Sequence, residues 1–204
     1  TIKDKNNASL EYKIGFYHPK IGNEGTFVIN ETTVPDAIFR NYLLSTLNVP
    51  VKATQADVDA VTVINIGGKT VADVTGIAMF SKLEELQVNN TNVKTVDVSN
   101  NPALKRLITF VSNDLTSIVA TNNPNLTYLS TRECPALTNI DLTGASALET
   151  LNCAYTSVSS LDLSTNTALK SVNCRSTNVT SLDLRNHAAL ELLYCFKTPM
   201  TYLN

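Results

Sequence analysis

"LETLNCAYTSVSS" (residues 148–160) nearly recurs as "LKSVNCRSTNVTS" (169–181) and again, more loosely, as "LELLYCFKTPMTY" (190–202). Cys153, Cys174 and Cys195 therefore stand 21 positions apart with similar neighbours. Three occurrences in register are a period, and a period of this length is the mark of a stack of similar coils. Taking the first leucine of each stretch as position 0 (Leu148, Leu169, Leu190), an apolar residue follows at +3 and a cysteine at +5. A threonine comes at +8 (Thr156, Thr177, Thr198) and an apolar residue at +10 (Val158, Val179, Met200).

The frame runs back through Leu126, Leu104, Leu83 and Val61, so seven coils start at 61, 83, 104, 126, 148, 169 and 190. Each start lies one near-constant step beyond the last. Alternation along an extended chain turns +3 and +5 inward and +2, +4 and +6 outward. One coil cannot bury its own apolar side. Stacked coils bury it jointly and pair their strands into one parallel sheet, at about 4.8 Å per coil. The recurring cysteines are then interior packing residues, in a column that earlier coils fill with Val88, Thr109 and Thr131. They are expected to stay free thiols, because bridges between adjacent parallel strands need awkward geometry. Cys134 falls in the +8 column instead.

The second half of each coil repeats as well: Val96-Asp97-Val98, Ile140-Asp141-Leu142, Leu161-Asp162-Leu163 and Leu182-Asp183-Leu184 align. Alternation places these aspartates on the outer side, solvated or bonded to nearby hydroxyls and amides rather than gathered as a cation site. Turn sequences rich in Asn and Pro, such as "SNNPAL" and "TNNPNL", follow them.

Over residues 61–204 the frame L-x-x-L-x-L-x-x-N/C-x-L resembles the leucine-rich repeat. The first coil, "VTVINIGGKTVADVTGIAMFSKL", looks like an internalin-type repeat. Later coils containing "LDLSTNTAL" and "LDLRNHAAL" look like variants common in surface proteins of gut Bacteroidetes and Firmicutes. The resemblance implies a leucine-rich-repeat solenoid, an α/β-type repeat superhelix that is mostly β and turn. Its curved parallel sheet of about seven coils would follow a small helical N-terminal cap. It also implies a non-catalytic binding module, secreted or anchored at a bacterial cell surface, engaged in adhesion or recognition of a host protein.

For the cap, "TTVPDAIFRNYLLSTLN" predicts a helix over about 34–47, with a capping box from Thr33 to Asp36 and an apolar face of Ile38, Phe39, Tyr42 and Leu43. A second short helix is expected from Thr54 through Ala60. The link "LNVPVKA" lacks carboxylates, so the calcium loop found in some relatives is not carried over. In residues 1–32 two readings stand: a β-hairpin pairing "LEYKIGFYH" with "TFVIN", or the tail of a preceding domain. The last coil stops at Leu203-Asn204 in mid-repeat. Continuation of the chain, an exposed last coil and self-association through it are the three expectations there.

A net charge of −2 and no basic cluster argue against nucleic acid, and no apolar run is long enough to span a membrane. No signal peptide is visible in a chain that opens at Thr1. His18 and His187 lie far apart, His187 on an outer turn, and no zinc spacing, phosphate loop or nucleophile motif occurs, so no catalytic residue, metal or cofactor is assigned. The open, concave sheet face is more telling. Arg106, Ile108, Phe110, Val111, Tyr128 and Arg132 mix apolar side chains, rings and arginines where water-facing residues are due, as binding hot spots do. Tyr155, Arg175, Tyr194 and Phe196 continue this face toward the last coil. The expected partner is a protein. A glycan, with a carbohydrate-binding or carbohydrate-active β-helix as the fold, is the alternative, and a structural spacer the third reading.

Overall fold

The computed structural model describes residues 26–204. Each coil contributes one short strand: Val63–Asn65, Glu85–Gln87, Arg106–Ile108, Tyr128–Ser130, Thr150–Asn152, Ser171–Asn173 and Leu192–Tyr194. They form a single seven-stranded parallel sheet in chain order. The side chains at +3 are register partners from coil to coil, running Ile64, Leu86, Leu107, Leu129, Leu151, Val172 and Leu193. All but Leu193 are fully buried, as are the position-0 leucines from Leu83 to Leu169. Side-chain burial of this kind contributes on the order of 2 kcal/mol per Leu or Val.

The +5 column is interior too. Thr109, Thr131, Cys153 and Cys174 have no exposed surface, and all four cysteines are free. The hydroxyl of Thr131 has no hydrogen-bond partner among the described residues, whereas a thiol at the same level asks for none. At +8, Thr91, Thr156, Thr177 and Thr198 donate their hydroxyls to the carbonyl three positions back, and the Cys134 thiol lies 3.0 Å from the Thr109 carbonyl oxygen.

Bonding between coils continues beyond the strands. The +5 N–H donates to the +4 carbonyl of the next coil, as from Val88 to Ile108 (2.8 Å) and Cys153 to Asn173 (2.9 Å). The +7 N–H then donates to the +6 carbonyl of the next coil: Asn90 to Phe110, Val111 to Arg132, Glu133 to Ala154, Tyr155 to Arg175 and Ser176 to Phe196, all between 2.9 and 3.0 Å. Each of these donors, and Lys197 in the same column, has a φ between 53° and 59°, and Gly68 there has 73°. The left-handed backbone swings the +7 N–H back toward the following coil.

On the outer side, Thr95–Asp97, Ser117–Val119 and Asn139–Asp141 form a three-stranded parallel sheet, and Ser181–Leu182 pairs with Tyr202–Leu203. Asp97, Asp141, Asp162 and Asp183 each accept from the N–H two positions ahead, at 2.9, 3.0, 2.9 and 3.2 Å. They close the turns.

A buried ladder at position −3 accompanies these turns. The Asn101, Asn123 and Asn166 amides each donate to two carbonyls of the preceding coil, Asn166 to Leu142 (3.1 Å) and Ala145 (2.9 Å). His187 occupies the same place, with Nε2 3.1 Å from the Leu163 carbonyl oxygen. On its outer turn it is buried, its ring nitrogen taking the place of the asparagine amide. Between Asn101 and His187, Ala145 is the one break in this row.

The N-terminal segment differs from the helix read in sequence. An α-helix covers Ala37–Asn41 and a π-helical turn Tyr42–Thr46. Asp36 alone caps it, accepting from Ile38 and Phe39 N–H at 2.9 Å, while Thr33 turns its hydroxyl to the Val28 carbonyl. Pro35 explains the late start, since the residue before a proline avoids helical geometry. Phe39 and Leu43 are buried, but Ile38 faces water. Asp36 also accepts from Ala72 N–H (2.8 Å) and the Tyr42 hydroxyl from Asn65 N–H (3.1 Å), tying the segment to the first coil. The second helix, Gln55–Asp59, carries a capping box between Thr54 and Asp57. Thr26–Val28 pairs antiparallel with Lys52–Thr54. The other half of the expected hairpin, "LEYKIGFYH", lies outside the described residues.

Replacing Asn166 by Ala removes one of the two donors at each of the Leu142 and Ala145 carbonyls and is expected to cost about 1–3 kcal/mol, read as a lower urea midpoint. A loss below about 0.5 kcal/mol would show that the ladder contributes little.

Candidate functional site: the open face of the sheet

Alternation brings the +2, +4 and +6 side chains to the open face, and the left-handed residue at +7 sends a fourth along its edge. Successive coils bring chemically matched groups together there. The Arg106 guanidinium lies 4.4 Å from the centre of the Tyr128 ring and pairs with Glu85 at 3.3 Å. Arg132 pairs with Glu133 at 2.5 Å and lies 6.0 Å from the Tyr155 ring. Arg175 stands between two rings, 4.6 Å from Tyr155 and 4.8 Å from Phe196. Arg106 and Tyr128 thus form one pair, and Arg132, Tyr155, Arg175 and Phe196 alternate from coil 126 to coil 190. Each contact contributes about 0.5–1 kcal/mol at an exposed site and holds both side chains in one pose.

The Arg106–Tyr128 pair lies within the +2 column, but the longer run from Arg132 to Phe196 crosses between the +6 and +7 columns, so no single column of the sequence displays it. It also corrects one expectation. Ala154 sits at an outward position yet is 1% exposed. Arg132 and Arg175, on either side of it, both reach toward the Tyr155 ring and cover it.

Beside the ladder, Phe110 and Val111 are 40% and 36% exposed, and Ile108 and Tyr128 are half-buried. With Ser130, Arg132, Glu133 and Asn152 most of these line a hollow of about 320 Å³. Ser130 is buried at its base, a short side chain among taller ones. Toward the last coil, Leu192, Tyr194 and Phe196 are about half exposed.

Val111 is strained. Its φ of 57° places a β-branched residue where Asn or Gly is at ease, and Asn90 occupies the same position one coil earlier. The hollow retains an apolar wall at this backbone cost.

Three of the four thiols are held protonated by their surroundings. Burial, with the Cys174 thiol beside it, pushes the Cys153 thiol far up; burial, with Cys195 beside it, pushes Cys174 up to about 11. Burial also raises Cys134, outweighing its hydrogen bonds to the Ser112 and Thr109 groups. Among the described residues no group of three or more His, Cys, Asp or Glu could hold a metal ion, and no helix is long and apolar enough to cross a membrane.

No family model and no curated protein matches the sequence. Among solved structures the chain is similar to an internalin, InlF, from Listeria monocytogenes, at a TM-score of 0.59 and 21% identity over 84% of this chain and 59% of that one. The fold is that of an internalin-like leucine-rich-repeat protein. InlP of the same organism aligns at a TM-score of 0.49 with 16% identity, covering 85% of this chain and 54% of that one. InlJ, also from Listeria, aligns at 0.43 with 21% identity, over 90% of this chain and 53% of that one. This leucine-rich-repeat chain spans less than two thirds of each of those three.

Three measurements follow from the geometry. Val111→Asn should raise stability by about 1 kcal/mol, seen as a higher denaturation midpoint with unchanged slope. No gain would mean that the backbone there is relaxed. In the native chain the partly buried Cys195 should react with a thiol reagent first, and Cys134, Cys153 and Cys174 only on unfolding. Because the buried thiols stay protonated above the ordinary value of 9.0 while the unfolded chain ionises, stability should fall as pH rises above 9.0. A flat profile between pH 9.0 and 11 would contradict the burial of Cys174.

Proposed function

We propose that this chain is a non-catalytic binding module of a secreted or surface-anchored bacterial protein, and that the open sheet face holds a protein partner. The observation that carries the reading is the ring–guanidinium ladder from Arg132 to Phe196, with the Arg106–Tyr128 pair, beside the hollow at Phe110, Val111 and Tyr128. Tyr and Arg are the residues most favoured at binding hot spots, and here they are already ordered by one another. A partner would meet a surface whose rotamers are set, so less freedom is lost on association. The strain at Val111 supports the same reading, since backbone strain gathers where function requires a particular side chain. Arg106, Ile108, Phe110, Val111, Tyr128 and Arg132 would form one contact area, with Tyr155, Arg175, Tyr194 and Phe196 extending it.

The test is binding of the purified protein to arrays of host extracellular proteins and of glycans, beside a Phe110→Ala/Tyr128→Ala variant. Protein binding that weakens by roughly tenfold or more in the variant is the expected result. Glycan binding that ignores the two substitutions would overturn the assignment and promote the carbohydrate reading. Protein binding that ignores them would move the contact off this face.

A further inference from the structure

The charges on the open face are not distributed as in the whole chain. The protein carries a net charge of −2, yet among the described residues this face presents Arg106, Arg132, Arg175 and Lys197 against only Glu85 and Glu133. Those two carboxylates are already engaged by Arg106 and Arg132. Among the described residues Arg175 has no carboxylate within ion-pair distance, and its enclosed Nε has no hydrogen-bond acceptor.

Everything around Arg175 holds it in place nonetheless. Its backbone N–H donates to the Asn173 side-chain oxygen at 3.3 Å, and its guanidinium is flanked by the Tyr155 and Phe196 rings. A guanidinium flanked by two rings can still be approached at the edge formed by its two terminal N–H groups, a fork matched to a carboxylate. Partial removal from water strengthens such a contact at the terminal N–H groups. One cation so placed suits a singly charged carboxylate. Phosphate groups are taken by clusters of arginines.

We infer that Arg175, clamped between Tyr155 and Phe196, is a receptor for an aspartate or glutamate side chain of the protein partner. This rests on the proposed binding role of the sheet face, and it specifies the partner as acidic where it meets coils 148 to 190.

Short random peptides displayed on phage and selected on the wild-type protein test it. The expected clones are enriched in Asp and Glu and bind roughly tenfold more weakly to both Arg175→Gln and Arg175→Lys. Their binding also weakens as salt is raised. Arg175→Lys keeps the charge and loses the fork, so equal binding to that variant would overturn the receptor in favour of general charge attraction. Clones without acidic residues that fail on the Phe110→Ala/Tyr128→Ala variant would overturn the carboxylate inference and leave the sheet-face role standing. Clones indifferent to both sets, or no clones above background, would overturn both. Binding of sialylated glycans that is lost in Arg175→Gln would reassign the site to carbohydrate. Thermal unfolding of each variant within a few degrees of wild type secures the comparison.

Discussion

The structure depends on the backbone bonds by which each coil holds the next. The N–H groups at +1 and +2 donate to the coil before, as Lys105 and Arg106 do to the Glu84 carbonyl, while those at +5 and +7 donate to carbonyls one coil ahead. Those bonds fix the offset between coils at one strand spacing, and the offset lets a side chain meet its counterpart from the coil before. Leucines stack on leucines at 0 and +3. At +5 the column passes from Ile and Val through Thr to Cys, residues of similar bulk that differ in polarity. At −3 the same offset brings an Asn amide under two carbonyls, and a histidine nitrogen can replace it because only a donor at that height is needed.

The +7 constraint links this scaffold to the surface. For its N–H to reach the next coil the residue must take a left-handed backbone, whatever its side chain. Asn90 and Gly68 accept that readily. Val111 does not, and Tyr155 accepts it while its ring is sent along the edge of the sheet to lie between two arginines. The surface chemistry is therefore a by-product of the bonding that stacks the coils, with residue identity free to vary at fixed backbone geometry.

The near-constant step of the repeat was enough to place the strands, the interior cysteine column and the outward aspartates, because periodic burial leaves a periodic trace. Other features left weaker traces. The asparagines at −3 sit among turn formers, and "NNP" reads as a turn before it reads as a buried ladder. His187, read only as lying on an outer turn, hid its place in that row for the same reason. The helix after Pro35 is shorter than its apolar spacing suggested, since Asp36 divides its oxygens between the helix N-terminus and the first coil. Alternation could say which residues stand on the open face, but not that Ala154 would be covered, because that depends on how long neighbours from adjacent coils lean. The pairing of Arg175 with one ring from the coil before and one from the coil after belongs to the same class of fact.

The stack also sets how such a surface can change over evolutionary time. Arg132 and Tyr155 are neighbours because no coil stands between theirs. Gain or loss of one whole repeat would leave every buried column matched and every joint bonded, yet shift one part of the face against the other by a strand spacing of about 4.8 Å. Distances across this surface are thus available only in whole-coil increments, and finer adjustment falls to the side chains alone.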